Sequence, residues 1–259
     1  MRIGVPTEIK CNEFRVGLVP GSVRELTARG HEVLVQSGAG AGIFADDAAY
    51  AKAGARILPT ADALFADAEM IVKVKEPQEI EYRRLKPHQI LFTYLHLAPD
   101  PDQARGLLES GAAAIAYETV TDANGGLPLL APMSEVAGRL AIEAAAIALR
   151  RPTGGRGVLM GGVPGVRPAK VVVLGGGVVG THAARMAVGL GADVAIIDRS
   201  LPRLRQLDEL FHGRVRTLAS TMDIIETEVL AADVVVGAVL VAGASAPKLI
   251  TRDMLPHMK

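Results

Sequence analysis

The chain has 259 residues, 49% hydrophobic and 22% charged, which is enough apolar material for a sizeable core and too much for disorder. Lysine plus arginine and aspartate plus glutamate number 28 each, so no net basic field draws in nucleic acid or anionic lipid. Four Tyr, five Phe and no Trp leave little for base stacking or a membrane-interface belt.

A single cysteine, Cys11, excludes an intrachain disulfide and a cysteine-cluster metal site, and fits a reducing, cytoplasmic compartment. The longest uncharged apolar stretches, 171–184 and 234–247, fall short of the roughly 18–20 residues of a membrane span. The N-terminus is polar again by Thr7, unlike a secretory signal.

Along the chain, short β-branched runs alternate with helical patterns, which predicts an α/β fold of mainly parallel sheets with flanking helices. Strands are expected at 2–5, 32–36, 70–74, 90–94 and 113–117, with helices at 22–29, 46–53, 61–66 and 101–110. Pro20-Gly21-Ser22 starts the first of these helices, and Gly30 stops it. Together they make a first, substrate domain over 1–130. Residues 131–168 read as a connecting helix, with Ser134 as its N-cap, followed by a glycine-rich stretch that is either a linker or an ordered loop. A second domain, 169–259, has strands at 171–174, 193–197, 215–218 and 233–236 and a last helix over 251–259. Doubly wound dinucleotide domains usually have six strands, so this one reads as a truncated Rossmann-type domain.

The strongest local motif is Leu174-Gly175-Gly176-Gly177-Val178-Val179-Gly180, where a buried strand runs through G-x-G-x-x-G into an Ala-rich helix. Gly175 permits the tight turn, Gly177 lets backbone approach a pyrophosphate, and Gly180 lets helix and strand pack closely. The helix N-terminus offers N–H groups and the positive end of its dipole to phosphates. Asp198 ends the next strand 18 residues after Gly180; an acid there accepts ribose hydroxyls and repels a 2′-phosphate. That favours NAD over NADP, with Arg199 next door as a mild counter-argument.

In the first domain, Arg15, Lys75 and His96 follow three expected strands. If those strands are parallel neighbours, the three side chains converge on one sheet edge. A guanidinium binds a carboxylate bidentately, an ammonium polarises a carbonyl, and an imidazole exchanges a proton near neutrality, a set suited to a small 2-oxo acid. The plainer alternatives are a surface or capping histidine and a Lys75 that pairs with Glu76 or Glu79. The six histidines show no H-x-x-x-H or H-E-x-x-H pairing, and G-x-S-x-G and Walker patterns are missing, which leaves metal, hydrolase and NTPase readings without support.

The same residues lie in longer blocks: Met1-Arg2-Ile3-Gly4-Val5-Pro6-Thr7-Glu8, Asn12-Glu13-Phe14-Arg15-Val16, Val72-Lys73-Val74-Lys75-Glu76-Pro77 and Thr93-Tyr94-Leu95-His96-Leu97. Further on come Pro132-Met133-Ser134-Glu135-Val136-Ala137-Gly138-Arg139, Met160-Gly161-Gly162-Val163-Pro164-Gly165 and Gly237-Ala238-Val239-Leu240-Val241. These blocks resemble the alanine dehydrogenase / NAD(P) transhydrogenase alpha-subunit family over the whole chain, and the alanine dehydrogenases within it most.

The resemblance implies NAD-dependent interconversion of L-alanine with pyruvate and ammonium by a homohexamer. It implies that Arg15 and Lys75 hold the substrate carboxylate and carbonyl and that His96 is the catalytic acid/base. Ser134 would meet the cofactor phosphates with Val178 and Val179, and Asp198 would take the adenosine ribose. Arg203 and Ser220 would lie around the adenosine half, and Val239 and Leu240 on the nicotinamide side. Leu204 and Leu207 read instead as helix core, and Ser220 could equally cap a helix beginning near Met222. The family chain is longer and carries a second catalytic aspartate beyond the last residue here. Two alternatives therefore stand beside the enzyme: the NAD-binding part of a proton-translocating transhydrogenase, and an NAD-binding module without turnover. Saccharopine- or lysine-forming dehydrogenases are a third relative, distinguished by a pocket for a longer side chain.

Overall fold

Runs such as Val33-Leu34-Val35 and Val171-Val172-Val173 are apolar on both faces, and such runs are stable where helices cover both sides of a parallel sheet. The computed structural model describes residues 1–240 and 246–259. It contains two such sheets, one in each of two compact units, Met1–Leu129 and Leu130–Lys259. Val241, which ends one of the blocks above, lies outside the described residues.

The first unit runs β1 (Arg2–Val5), α1 (Pro20–Ala28), β2 (Glu32–Gln36), α2 (Asp47–Lys52), β3 (Arg56–Leu58) and α3 (Ala61–Asp67). It continues with β4 (Met70–Val72), α4 (Glu79–Tyr82), β5 (Ile90–Thr93), α5 (Pro101–Ser110) and β6 (Ala113–Ala116). All its strands are parallel, in the order β3-β2-β1-β4-β5-β6. The chain builds outward from β1 on one side, then crosses to β4 and builds outward on the other. At the C-terminal ends of β1 and β4 the onward connections part, which makes this the topological switch point where open α/β sheets bind ligands. Side chains alternate between two cores, as strand geometry requires: Val33 and Val35 join Val5, Val23 and Tyr50, while Leu34 joins Leu64, Phe65, Ile71 and Leu91.

The expected strands ending at 74, 94 and 117 stop one or two residues earlier, at Val72, Thr93 and Ala116. The apolar pattern continues past these points while the backbone leaves the sheet; the Val74 N–H, for instance, goes to the Glu8 carboxylate at 2.6 Å. One strand and one α-helix escaped the sequence pattern, as did the 3-10 turns Ala41–Ile43 and Tyr117–Thr119. β3 is a three-residue strand at the sheet edge, and α4 is a single turn tied by the Gln78 N–H to the Glu81 carboxylate at 2.8 Å.

The second unit contains α6 (Ala131–Ala148), β7 (Lys170–Leu174), α7 (Val178–Gly189), β8 (Asp193–Asp198), α8 (Leu201–Phe211), β9 (Arg216–Ala219), α9 (Met222–Leu230) and β10 (Val234–Gly237). Its described strands are parallel in the order β10-β7-β8-β9. α6 groups with this unit: a Cβ on Gly138 would strike the Val179 carbonyl of α7, and Ile142 shares a core with Ala183, Ala184 and Ala187.

Ser134 is not the N-cap of α6. Pro132 fits the first turn, where its missing N–H would be unpaired anyway, so the helix starts at Ala131 and the Ser134 N–H already bonds the Leu130 carbonyl at 3.1 Å. Ser220 does not cap α9 either; Thr221 does, accepting the Ile224 N–H. The glycine-rich stretch is an ordered loop. Gly157 donates to Leu149 O at 2.7 Å, Met160 is buried, and Val163 and Val166 bridge. The expected terminal helix is a 3-10 helix, Arg252–His257, with Pro256 inside it and unable to donate an α-type bond. Leu204 and Leu207 are core, as expected. Among the described residues no helix is long and apolar enough to cross a membrane.

Candidate active site

Four consecutive parallel strands of the first unit, β1, β4, β5 and β6, send their following residues out from the same sheet edge. Beneath these loops lies a buried ion triad. The Lys73 ammonium, 1% exposed, meets Glu8 at 3.1 Å and Glu81 at 2.7 Å, both carboxylates being almost as deeply buried. Glu8 also accepts the Val74 N–H, and the Thr93 hydroxyl donates to the Lys75 carbonyl at 2.8 Å. The backbone that carries Lys75 is thus held from two neighbouring strands.

Lys75 stands close enough to this edge's other two candidates, Arg15 and His96, to couple with both, feeling the charge of Arg15 and acting on that of His96. Arg15 is gripped fork-to-fork by Glu13, Nε donating at 2.8 Å and Nη2 at 2.5 Å. That pairing raises the Arg15 pKa and holds the Glu13 carboxyl below the usual range. Lys75 is pushed the other way: burial, then the charges of Lys10 and Arg15, lower its pKa. Glu76 stands 3.7 Å from the Lys75 ammonium and is itself paired with Lys10, so the plainer pairing of Lys75 is present only as a long contact. A partly desolvated lysine beside a second cation suits a group that must polarise a carbonyl rather than sit in a saturated ion pair.

His96 has a left-handed backbone, φ +47°, and its N–H donates to Glu118 at 2.7 Å. Its ring stacks on Tyr94, centroids 6.1 Å apart and planes inclined by 14°. Burial lowers its pKa; the Glu118 charge opposes this, and those of Lys75 and Lys10 reinforce it. The neutral imidazole, able to accept a proton, is favoured.

In the second unit the glycine turn has the geometry its motif predicts. Gly175 has φ +102°, and its N–H bonds Ile197 O at 2.8 Å. A Cβ on Gly180 would strike the Gly175 carbonyl, whereas one on Gly177 would meet nothing within 4 Å. The turn is therefore closed underneath and open above. No side chain caps α7 at Gly177, so the N-terminus that begins with Val178 and Val179 can meet an anion. Asp198 accepts the Gly176 N–H at 2.7 Å and the Ser200 N–H at 2.8 Å. Arg203 donates to the Gly176 carbonyl at 2.7 Å and to the Thr181 hydroxyl at 2.8 Å. The Gly176 peptide is clamped at both ends. This open cradle, uncapped helix and acid fit a dinucleotide.

Ser134 stands one helical turn before Gly138, the residue that abuts Val179, and so on the side from which α7 begins. Ser220 is exposed at the end of β9, its N–H bonded to Asp198 O at 3.0 Å. Val239 follows β10 beside Gly175, and Leu240 is exposed.

Sequence reasoning missed Glu8, Glu13, Lys73, Glu81 and Glu118. Lys73 could have been found, since a charge inside Ile71-Val72-Lys73-Val74 must be paired if that strand is buried. Glu118 left no local signal because its partners lie 22 and 23 residues away.

Family comparison accounts for nearly the whole chain. Residues 4–137 match the model of the alanine dehydrogenase/PNT N-terminal domain, and residues 141–259 that of the C-terminal domain. The chain belongs to the alanine dehydrogenase/PNT family. An alanine dehydrogenase from Halomonas elongata is 57% identical over all 259 residues, which cover 70% of that relative. A solved L-alanine dehydrogenase is 52% identical and superposes with a TM-score of 0.93, over the whole chain and 72% of that structure. A transhydrogenase from Sinorhizobium meliloti is more distant, 27% identical with a TM-score of 0.83, over the whole chain and 76% of that structure. Membership of the alanine dehydrogenase/PNT family, together with the dehydrogenase fold, implies a nicotinamide dinucleotide cofactor and small-molecule substrates.

Proposed function

We propose that the chain is an NAD-dependent alanine dehydrogenase, which oxidises L-alanine to pyruvate and ammonium and runs the reverse reductive amination. One observation carries this reading: a guanidinium, a pKa-depressed lysine and a depressed histidine leave three adjacent parallel strands at a switch point. Arg15 binds the substrate carboxylate. Lys75 donates to the carbonyl oxygen of pyruvate and steadies the negative charge that builds there. His96, neutral, takes a proton from the water that adds to the imine carbon; as imidazolium it returns that proton to the amine nitrogen, and it takes up the hydroxyl proton as the carbonyl forms and ammonia leaves.

Gly175, Gly177, Gly180, Val178, Val179 and Ser134 hold the pyrophosphate, Asp198 the adenosine ribose, Arg203 and Ser220 the adenosine side, and Val239 and Leu240 the nicotinamide side. NAD rather than NADP follows from Asp198, whose carboxylate repels a 2′-phosphate. When bound, the nicotinamide supplies the hydride acceptor or donor. With one cysteine, exposed and unpaired, the protein is read as cytoplasmic, and by family as a homohexamer.

The test is NADH oxidation by the 259-residue chain with pyruvate plus ammonium, set against 2-oxoglutarate plus lysine. Pyruvate-specific turnover supports the proposal. NADH binding without turnover on either pair overturns it in favour of a cofactor-binding module. Sedimentation of the same sample tests the hexamer.

A further inference from the structure

We infer that Glu118 is the positioning residue for His96: it holds the backbone that aims the imidazole, without touching substrate itself. The inference rests on the acid/base role proposed for His96. Four observations carry it. First, His96 stands in the left-handed region at φ +47°, a conformation that side-chain-bearing residues avoid unless their surroundings over-determine it. Second, two successive backbone N–H groups converge on one carboxylate, Leu95 at 3.0 Å and His96 at 2.7 Å, both to Oε1 of Glu118. Charge-assisted bonds of this kind are about twice as strong as neutral ones.

Third, the carboxylate is itself fixed. β5 and β6 pair as far as Thr93 opposite Ala116, and the chain then enters a 3-10 turn, Tyr117–Thr119, which carries Glu118 just beyond the end of the ladder. The Tyr117 ring packs edge-on against Phe92 at 4.4 Å and Tyr94 at 4.9 Å. Fourth, the Leu95 carbonyl is held as well, since the buried Gln103 amide donates to it at 2.9 Å. The Leu95–His96 turn is therefore gripped by Glu118 from the 3-10 turn after β6 and by Gln103 from α5, and the imidazole is left lying on the Tyr94 ring. Releasing the Glu118 grip lets His96 relax to negative φ and swings the ring off Tyr94.

Glu118→Ala and Glu118→Gln separate this from a merely structural role. The glutamine carbonyl oxygen can still accept both N–H groups, while alanine can accept neither. In Glu118→Ala, the His96 ring resonance, assigned by heteronuclear NMR, should lose the ring-current shift from Tyr94. Turnover should fall on the order of 10- to 100-fold, with the KM for pyruvate changed little, because a misaimed catalytic group costs rate rather than binding. Glu118→Gln should restore the ring shift and most of the turnover. Should the alanine variant fail to fold, Glu118→Asp, one methylene too short to reach, takes its place with the same expectation. An alanine or aspartate variant that keeps the native His96 ring shift overturns the inference, and so does a glutamine variant as impaired as alanine. The ring shift needs no turnover, so a wild-type chain without alanine-dependent activity would sink the functional reading and leave Glu118 to be decided by the spectra.

Discussion

His96 and Lys75 are both held away from their ordinary titration, chiefly by burial. The sign is plain for each: burial disfavours the charged form, so a basic group loses its proton more readily. On the acid/base role proposed for His96, alanine oxidation should therefore fall away on the acid side only below the ordinary histidine value of 6.5. A kcat/KM profile for alanine with its acid limb well above 6.5 would contradict this. Stability follows the same sign. The folded state binds fewer protons than the unfolded chain just below 6.5, at His96 and also at His182, so the unfolding temperature should drop as pH is lowered through that window. Replacing His96 with alanine should cost turnover by about 100-fold, the scale of a general acid–base group, and near-normal turnover would refute its role. Arg15→Lys should raise the KM for pyruvate, because an ammonium cannot reproduce the planar fork that Glu13 now orients.

Elements explain why two glycines of one turn should respond differently. Gly177→Ala places its methyl in open space, so the melting temperature should hold while NADH binding weakens. Gly180→Ala drives a methyl into the Gly175 carbonyl, so folding and binding should fail together. Calorimetry paired with fluorescence titration of NADH distinguishes the two. In the first unit, the loops after β1 and β4 are joined by the Glu8–Lys73–Glu81 triad. Lys73→Met strands two buried carboxylates and should cost about 3–5 kcal/mol of stability in urea denaturation. Element positions were legible where the pattern was strong: β1, β2 and α5 begin and end where the sequence puts them. β3 and α4 were not, because three residues at a sheet edge and a single helical turn are too short to display a period. Ser134 has the side chain of a cap, but Pro132 fits the first turn of the helix, so α6 begins at Ala131 and takes Ser134 into its interior.

The whole molecule carries no formal net charge at pH 7, and like-charge repulsion between copies is then weakest. Solubility should pass through a minimum near neutrality and recover on either side, as precipitation assays across pH would show. Both units are built on parallel sheets, and the first completes a six-strand doubly wound order.

The amino-acid sequence by itself determined the fold class, the dinucleotide turn with its acid, and the family, because each rests on local periodicity or on residues within one βαβ unit. It also singled out Arg15, Lys75 and His96. That they share an edge was decided by strand order, β1 beside β4 beside β5, which depends on pairing between segments far apart in the chain. The left-handed turn at His96, the carboxylate that holds it and the partners of buried Lys73 were likewise settled only in three dimensions. A buried charge or a strained backbone is stable only when distant groups enclose it, and no local window of sequence contains those groups.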